Sequence, residues 1–291
     1  MGQQSGFSEE YYDSSDGLKL YARIYGDPKA TRTIVCLPGL TRNSRDFHDL
    51  AVQLTDRDSS CRVITLDSRG RGLSGWDDNK QNYNLVVEAG DVLTACAAFG
   101  VTKASFIGTS RGGLILHLLI AMRPELIESV VLNDVGPELG IEGLRHIQSY
   151  LTSPRPAPKD WEEATAYVRD NHGAEFTALS ADDFRDMAAA IYREVDGMIR
   201  PDVDPAIARQ FADLDLSKPP SDLWPQFDKF AGLPVMVVKG ENSKLLTEGI
   251  VARMAEKHAG LTVVIAEGQG HAPVLHLEGI GAAIGDFVSG G

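Results

Sequence analysis

Short apolar runs rich in β-formers alternate along the chain with longer stretches whose apolar residues recur at helical spacing. Two strands are predicted first, around Tyr11 to Ser14 and Leu18 to Tyr25, joined by the turn Ser15-Asp16-Gly17. Thr33 to Leu37 and Arg62 to Leu66 are continuous apolar runs of strand length, as buried strands should be. Between them, Phe47, Leu50, Ala51 and Leu54 give Arg45 to Thr55 a helical period. Leu85 to Phe99 is a second helix, Ala104 to Ile107 a third core strand, and Ser129 to Leu132 a fourth. Leu114 to Met122 is apolar nearly all round, which suits a helix buried under a sheet.

The alternation stops after Pro137. From there to about Pro225 no strand is predicted, and prolines at 154, 156, 158, 201, 205, 219 and 220 break the helical stretches. Helices are expected over Glu142 to Tyr150, Trp161 to Asn171, Ala181 to Tyr192 and Pro205 to Phe211. Strand, helix, strand, helix then resume at Val235 to Lys239, Thr247 to His258, Thr262 to Ile265 and Leu275 to Val288. This order predicts an α/β fold, a mostly parallel doubly wound sheet with a helical cap insertion. Residues 1–137 and 229–291 would form the core domain and 138–228 the cap.

Composition narrows the class of function. The 291 residues carry 28 Lys plus Arg against 41 Asp plus Glu, a formal net charge of -13. A nucleic-acid or anionic-membrane surface would require a basic footprint, so neither partner is expected. The N-terminus has no basic start and no apolar run, unlike a signal peptide, and position 6 is Gly where a myristoylation signal needs Ser or Thr. No apolar stretch approaches the roughly 18 to 20 residues of a membrane span. Cys36, Cys61 and Cys96 all lie within apolar runs and are expected to be buried thiols of a cytoplasmic protein. A small-molecule substrate is the expected partner; the sequence is compatible with a homodimer but does not specify one.

The candidate chemistry lies at a strand-to-helix junction, Gly108-Thr109-Ser110-Arg111-Gly112. A G-x-S-x-G turn presents its serine on a sharp bend, and the two glycines let strand and helix approach closely. The helix N-terminus beside it favours developing negative charge. Here the chain resembles the α/β-hydrolase superfamily, capped serine esterases in particular, over nearly its whole length. Leu37-Pro38-Gly39-Leu40-Thr41 resembles the family's oxyanion-hole loop, which implies the backbone N–H groups of Leu40 and Arg111 as donors. Asp67-Ser68-Arg69-Gly70-Arg71-Gly72-Leu73-Ser74 resembles a loop that is structural in the family, and Gly270-His271-Ala272 matches the position of its catalytic histidine. The resemblance implies Ser110 as nucleophile and His271 as base.

Among the other histidines, His117 is expected to be a core residue and His258 to sit near a helix C-terminus. His48, His146 and His172 carry no motif, and His276 is placed in a helical run. No spacing suggests metal ligands, and neither a metal nor another cofactor is expected.

The departure from the family concerns the third member. A base of this kind needs a group that fixes its tautomer, and the family usually supplies a carboxylate just after the strand at Val235 to Lys239. Here that loop is Gly240-Glu241-Asn242-Ser243-Lys244, with Lys244 where related sequences have Asp. The family's second solution is an acid at the end of the strand before the insertion, and Asp134 is the residue there. Asp134, then, is the expected acid. Glu241, and the absence of any third member, stay open; Glu248 is farther along.

Trp161, Tyr167, Phe176, Tyr192 and Trp224 are candidates for lining a substrate pocket under the cap, although packing within the cap explains them equally well. Arg42 and Arg111 could favour an anionic group or simply pair with surface acids. The leading expectation is a hydrolase, carboxylesterase-like, that cleaves a small to medium carboxylic ester, or a related acyl or activated C–C bond, through an acyl-enzyme. A serine disfavours dehalogenase and epoxide hydrolase chemistry, which on this fold use Asp at that position. The alternatives are a cofactor-free oxygenase or lyase using the His–Asp pair as base, and a non-catalytic ligand receptor.

Overall fold

The computed structural model describes residues 6–153, 156–217, 222–277 and 279–290. Ten strands occur among them: β1 (Phe7–Asp13), β2 (Lys19–Tyr25), β3 (Arg32–Leu37), β4 (Cys61–Asp67), β5 (Ala104–Thr109), β6 (Ile127–Asn133), β7 (Tyr192–Val195), β8 (Met198–Pro201), β9 (Val235–Gly240) and β10 (Leu261–Ala266). The helices are α1 (His48–Arg57), α2 (Leu85–Ala98), α3 (Arg111–Met122), α4 (Ile141–Thr152), α5 (Trp161–His172), α6 (Ala181–Ile191), α7 (Pro205–Ala212), α8 (Trp224–Phe227), α9 (Glu248–Lys257) and α10 (Ile280–Val288).

Eight strands form one sheet in the order β1-β2-β4-β3-β5-β6-β9-β10. β1 and β2 join antiparallel, and every pair from β4 to β10 is parallel. The runs that were apolar throughout, β3 to β6 and β9, are buried along almost their whole length. Both of their faces are covered, so alternation would have no use. At the far edge β10 is exposed at alternate and adjacent positions, including Val263 and Ile265. One face packs α2, α3, α8 and α9 through Val92, Leu116, Phe227 and Met254. The other packs α1 and α10 through Leu50, Leu54 and Ile284. Helices on both faces of a mostly parallel sheet make the fold a doubly wound α/β structure.

Three differences from the sequence reading have local causes. The segment between β6 and β9 contains a two-stranded hairpin, β7 with β8, where only helix was expected. Its turn places Asp196 and Gly197 at positive φ, 53° and 73°, and this turn ends the helical run at Ile191. The last helix begins at Ile280 instead of Leu275, so His276 lies outside it. The strand β1 also starts earlier than expected, at Phe7, because β2 pairs with it along seven residues. Among the predicted prolines, 154, 219 and 220 lie outside the described residues. The acidic pairs at 162–163 and 182–183 occupy first turns of α5 and α6, the latter closed by a Ser180/Asp183 capping box.

No helix among the described residues is long and apolar enough to cross a membrane. Cys36, Cys61 and Cys96 are free thiols and buried.

Candidate active site

The carboxyl ends of β5 and β6 and the turn after β10 meet at one edge of the sheet, where a parallel sheet leaves its crevice. Ser110 stands between β5 and α3 at φ 50° and ψ −113°. That bend is possible because its neighbours are glycines. A Cβ on Gly108 would lie 2.6 Å from the Gly113 nitrogen, and one on Gly112 would collide with the Leu37 carbonyl oxygen. The Ser110 N–H donates to Asn133 O (3.0 Å), locking the elbow to β6.

His271 reaches Ser110 from the turn after β10. Its Nε2 lies 2.9 Å from Ser110 Oγ and its Nδ1 2.8 Å from Asp134 Oδ2. Asn133 ties β5, β6 and the turn after β10 together at this point, donating from Nδ2 to Thr109 Oγ1 (3.1 Å) and to Pro273 O (3.0 Å). Gln269 Oε1 accepts from Val274 N–H (2.8 Å) and so closes the loop that carries His271.

Asp134 is the acid that meets the histidine. It is fully buried, at φ 52°, an uncommon conformation for a side-chain-bearing residue and one that Asp tolerates better than most. Its Oδ1 accepts from Gly240 N–H (2.9 Å), and its Oδ2 accepts from the Ser243 hydroxyl as well as facing His271. Three donors thus converge on one buried carboxylate, which satisfies its charge without a cationic partner. Glu241, the alternative acid, turns away and accepts from Gly268 N–H (2.7 Å). Lys244 points outward to Glu142 (2.6 Å). The loop that in related sequences would supply an Asp therefore supplies Ser243 and Gly240 N–H as supports for Asp134. Ser243 escaped the sequence reading because no motif marks a serine in that loop.

The two expected oxyanion donors are held by one buried ion network. Arg71 Nε donates to Leu40 O (2.8 Å), while its Nη1 donates to Glu88 Oε1 (2.9 Å). Glu88 in turn binds Arg111 through Nε (2.7 Å) and Nη2 (3.0 Å). A single carboxylate thus links the loop of Leu40 to the first residue of α3. Burial opposes the charge on Glu88, but Arg71 and Arg111 together outweigh it and hold its carboxyl below its ordinary value. The backbone N–H groups of Leu40 and Arg111 take part in no backbone hydrogen bond among those of the described loops.

Ser110 and His271 open on a cavity of about 900 Å³. Of the five candidates, Tyr167, Phe176 and Tyr192 line it, and Phe176 and Tyr192 also pack within the cap. Trp161 and Trp224 do not: Trp161 is 37% exposed on α5, and Trp224 packs in the core, its Nε1 donating to Glu138 (3.1 Å). Arg42 and Arg111 both border the cavity but already face Asp46 and Glu88. His117 is a core residue, bonded to Gly113 O (2.7 Å), and His258 caps α9 against Phe230 O and Leu233 O. His172, which carried no motif, lines the cavity together with Tyr150. Among the described residues no group of three or more His, Cys, Asp or Glu side chains is placed to hold a metal ion.

Comparison with known proteins agrees with this architecture. The model of the alpha/beta hydrolase family matches residues 34–282. A 3-hydroxybutyrate-oligomer hydrolase of Cupriavidus necator is 33% identical over 256 residues, 86% of this chain and 85% of that protein. A 2-(acetamidomethylene)succinate hydrolase of Mesorhizobium japonicum is 30% identical over 233 residues, covering 80% of this chain and 79% of that one. The crystal structure of an alpha/beta hydrolase from Novosphingobium aromaticivorans superposes with a TM-score of 0.90 at 35% identity, over 99% of both chains. With its fold, its elbow and its matched length taken together, the chain belongs to the alpha/beta hydrolase family.

Proposed function

We propose that this hydrolase is a serine esterase that cleaves small to medium carboxylic esters through an acyl-enzyme on Ser110. The observation that carries the reading is the unbroken line from Ser110 Oγ to His271 Nε2 (2.9 Å) and from His271 Nδ1 to Asp134 Oδ2 (2.8 Å), opening on the cavity. In this reading His271 takes the Ser110 proton as Oγ attacks the ester carbonyl carbon. The carbonyl oxygen becomes negative and is held by the N–H groups of Leu40 and Arg111. The tetrahedral species collapses, its bond to the alkoxy oxygen breaks, and His271 delivers the proton to the departing alcohol. Water then repeats the sequence on the acyl-enzyme and releases the acid. Residues 1–137 and 229–291 carry this chemistry, and the segment 138–228 shapes the substrate cavity over it.

The two curated relatives carry different substrates in their names, 3-hydroxybutyrate oligomers and 2-(acetamidomethylene)succinate. What they share is hydrolysis, so the ester assignment rests on the site itself. The test uses p-nitrophenyl butyrate with wild type, Ser110→Ala and His271→Ala. Turnover with a pre-steady-state burst in wild type, lost by a factor of about 10³ or more in both variants, is expected. Turnover that survives Ser110→Ala but not His271→Ala would point instead to base-only chemistry by the His271–Asp134 pair.

A further inference from the structure

The cavity is mostly apolar, with Leu114, Leu139, Leu144, Ile147 and Phe211 among its walls. Among the polar side chains set into that lining are Tyr150 and His172. Tyr150 projects from α4 and His172 from the end of α5, their rings edge to face at 5.3 Å between centroids. His172 also packs edge-on against Phe176, 6.0 Å away, and His146 against Tyr150, 5.9 Å away. The rings are thus fixed by their neighbours. The Tyr150 hydroxyl and both ring nitrogens of His172 nevertheless have no hydrogen-bond partner among the described residues, and both side chains border the same cavity as Ser110. Structures rarely leave such groups unmet; those that face a cavity await a ligand or water.

Both groups are neutral. Burial pushes the His172 imidazole down to about 3, and the nearby Arg42 guanidinium acts in the same direction. Burial pushes the Tyr150 phenol up to about 12. Arg42, the arginine whose charge acts on both rings, is already matched by Asp46 through two hydrogen bonds (2.7 and 2.6 Å). A carboxylate set against these two neutral groups would lose its hydration with no counter-charge from either of them. A plain alkyl group would strip water from the Tyr150 and His172 groups and leave them unpaired. A neutral hydroxyl or carbonyl oxygen meets both requirements.

We propose that Tyr150 and His172 form a subsite, in the cavity of Ser110, for a neutral hydroxyl or carbonyl oxygen on the substrate. The subsite selects oxygenated esters, hydroxy-acid esters and short oligoesters above all, over plain alkyl esters and over esters bearing a carboxylate. This inference rests on the esterase reading for its chemistry, but the subsite itself can be tested without turnover.

The first measurement is kcat/KM for matched pairs of esters that differ by one hydroxyl. One pair carries it on the acyl side, p-nitrophenyl 3-hydroxybutyrate against p-nitrophenyl butyrate. The other carries it on the alcohol side, 3-hydroxybutyl butyrate against butyl butyrate. In at least one pair the hydroxylated ester should be favoured about 10-fold, the effect of one neutral hydrogen bond fully expressed. The ratio should collapse toward one in Tyr150→Phe and His172→Phe, and p-nitrophenyl hemisuccinate should be a poorer substrate than the butyrate. The second measurement is NMR-monitored binding of methyl 3-hydroxybutyrate and methyl butyrate to Ser110→Ala, with the same Tyr150 and His172 substitutions added. A binding preference for the hydroxy ester that either substitution removes supports the subsite even if wild type hydrolyses nothing. Hydrolysis without a preference in either pair, a preference untouched by both substitutions, or a preferred hemisuccinate would overturn the subsite and leave the esterase reading standing.

Discussion

Replacing Asp134 by Asn should silence the site without disturbing the fold. Asn accepts the positive φ of residue 134, 52°, as readily as Asp does, so the backbone turn survives. The amide cannot reproduce the carboxylate's bonding, however. Gly240 N–H points at Oδ1 from 2.9 Å and demands an acceptor there, so the Asn carbonyl oxygen takes that place. The amide NH2 is then left facing His271 Nδ1, at the position where Oδ2 now lies 2.8 Å away. Two donors cannot face each other, so His271 shifts to the tautomer whose proton sits on Nε2. That nitrogen lies 2.9 Å from Ser110 Oγ and must be bare to take its proton. By analogy with the same substitution in serine proteases, kcat should fall about 10⁴-fold, on the order of 5 kcal/mol in the barrier. KM should change little, because Asp134 is buried behind His271 and does not line the cavity. The assay is steady-state hydrolysis of p-nitrophenyl butyrate, alongside urea unfolding to confirm a stable fold. A kcat within about 10-fold of wild type would refute the tautomer argument and the acid assignment with it.

Further expectations follow from neighbouring contacts. Ser243→Ala removes one hydrogen bond to the Asp134 carboxylate and should lower kcat about 10-fold at near-constant KM, whereas Glu241→Gln, which caps only Gly268 N–H, should leave kcat within about 2-fold; steady-state kinetics of both variants checks this. Arg71→Lys keeps the charge but loses the forked bonding to Leu40 O and Glu88, so affinity for a trifluoromethyl ketone that forms an oxyanion on Ser110 should fall about 10-fold in parallel with kcat, with substrate KM unmoved. Glu88→Gln strips the shared partner from two arginines and should destabilise the fold by about 3 kcal/mol or more in urea. His117 is buried and neutral, its pKa pushed down to about 4 by burial, below the 6.5 of an unfolded histidine. The unfolded state therefore binds the extra proton between about pH 6.5 and 4, and the His117 contribution to stability is lost as pH falls through that window. His117→Leu should flatten the pH dependence of urea unfolding there by up to one proton; an unchanged slope would contradict the assignment.

Much of the core was legible because parallel strands buried on both faces must be apolar throughout. Runs such as Thr33 to Leu37 and Val235 to Lys239 have few other uses. Ser110 and His271 were legible for a different reason: an elbow needs glycines at fixed offsets, and the histidine turn follows the last strand. Asp134 could be named only through the absence of an acid at 244. The supports were illegible. Ser243 acts across 109 residues of sequence on Asp134, and Tyr150 and His172 meet only because α4 and α5 fold over the same cavity. Such contacts depend on side-chain direction, which neither period nor motif records. The β7–β8 hairpin was missed because strands of four residues beside a helix leave too short an alternation to detect.

Ester cleavage should pass through a covalent bond to Ser110, and mass spectrometry of the protein quenched during turnover of p-nitrophenyl butyrate shows whether that bond forms. The expected product is a protein heavier by one butyryl group, with the modification on the peptide containing Ser110 and none in Ser110→Ala. Ester consumed with no acyl adduct at any quench time, or an adduct on another residue that persists in Ser110→Ala, would contradict it.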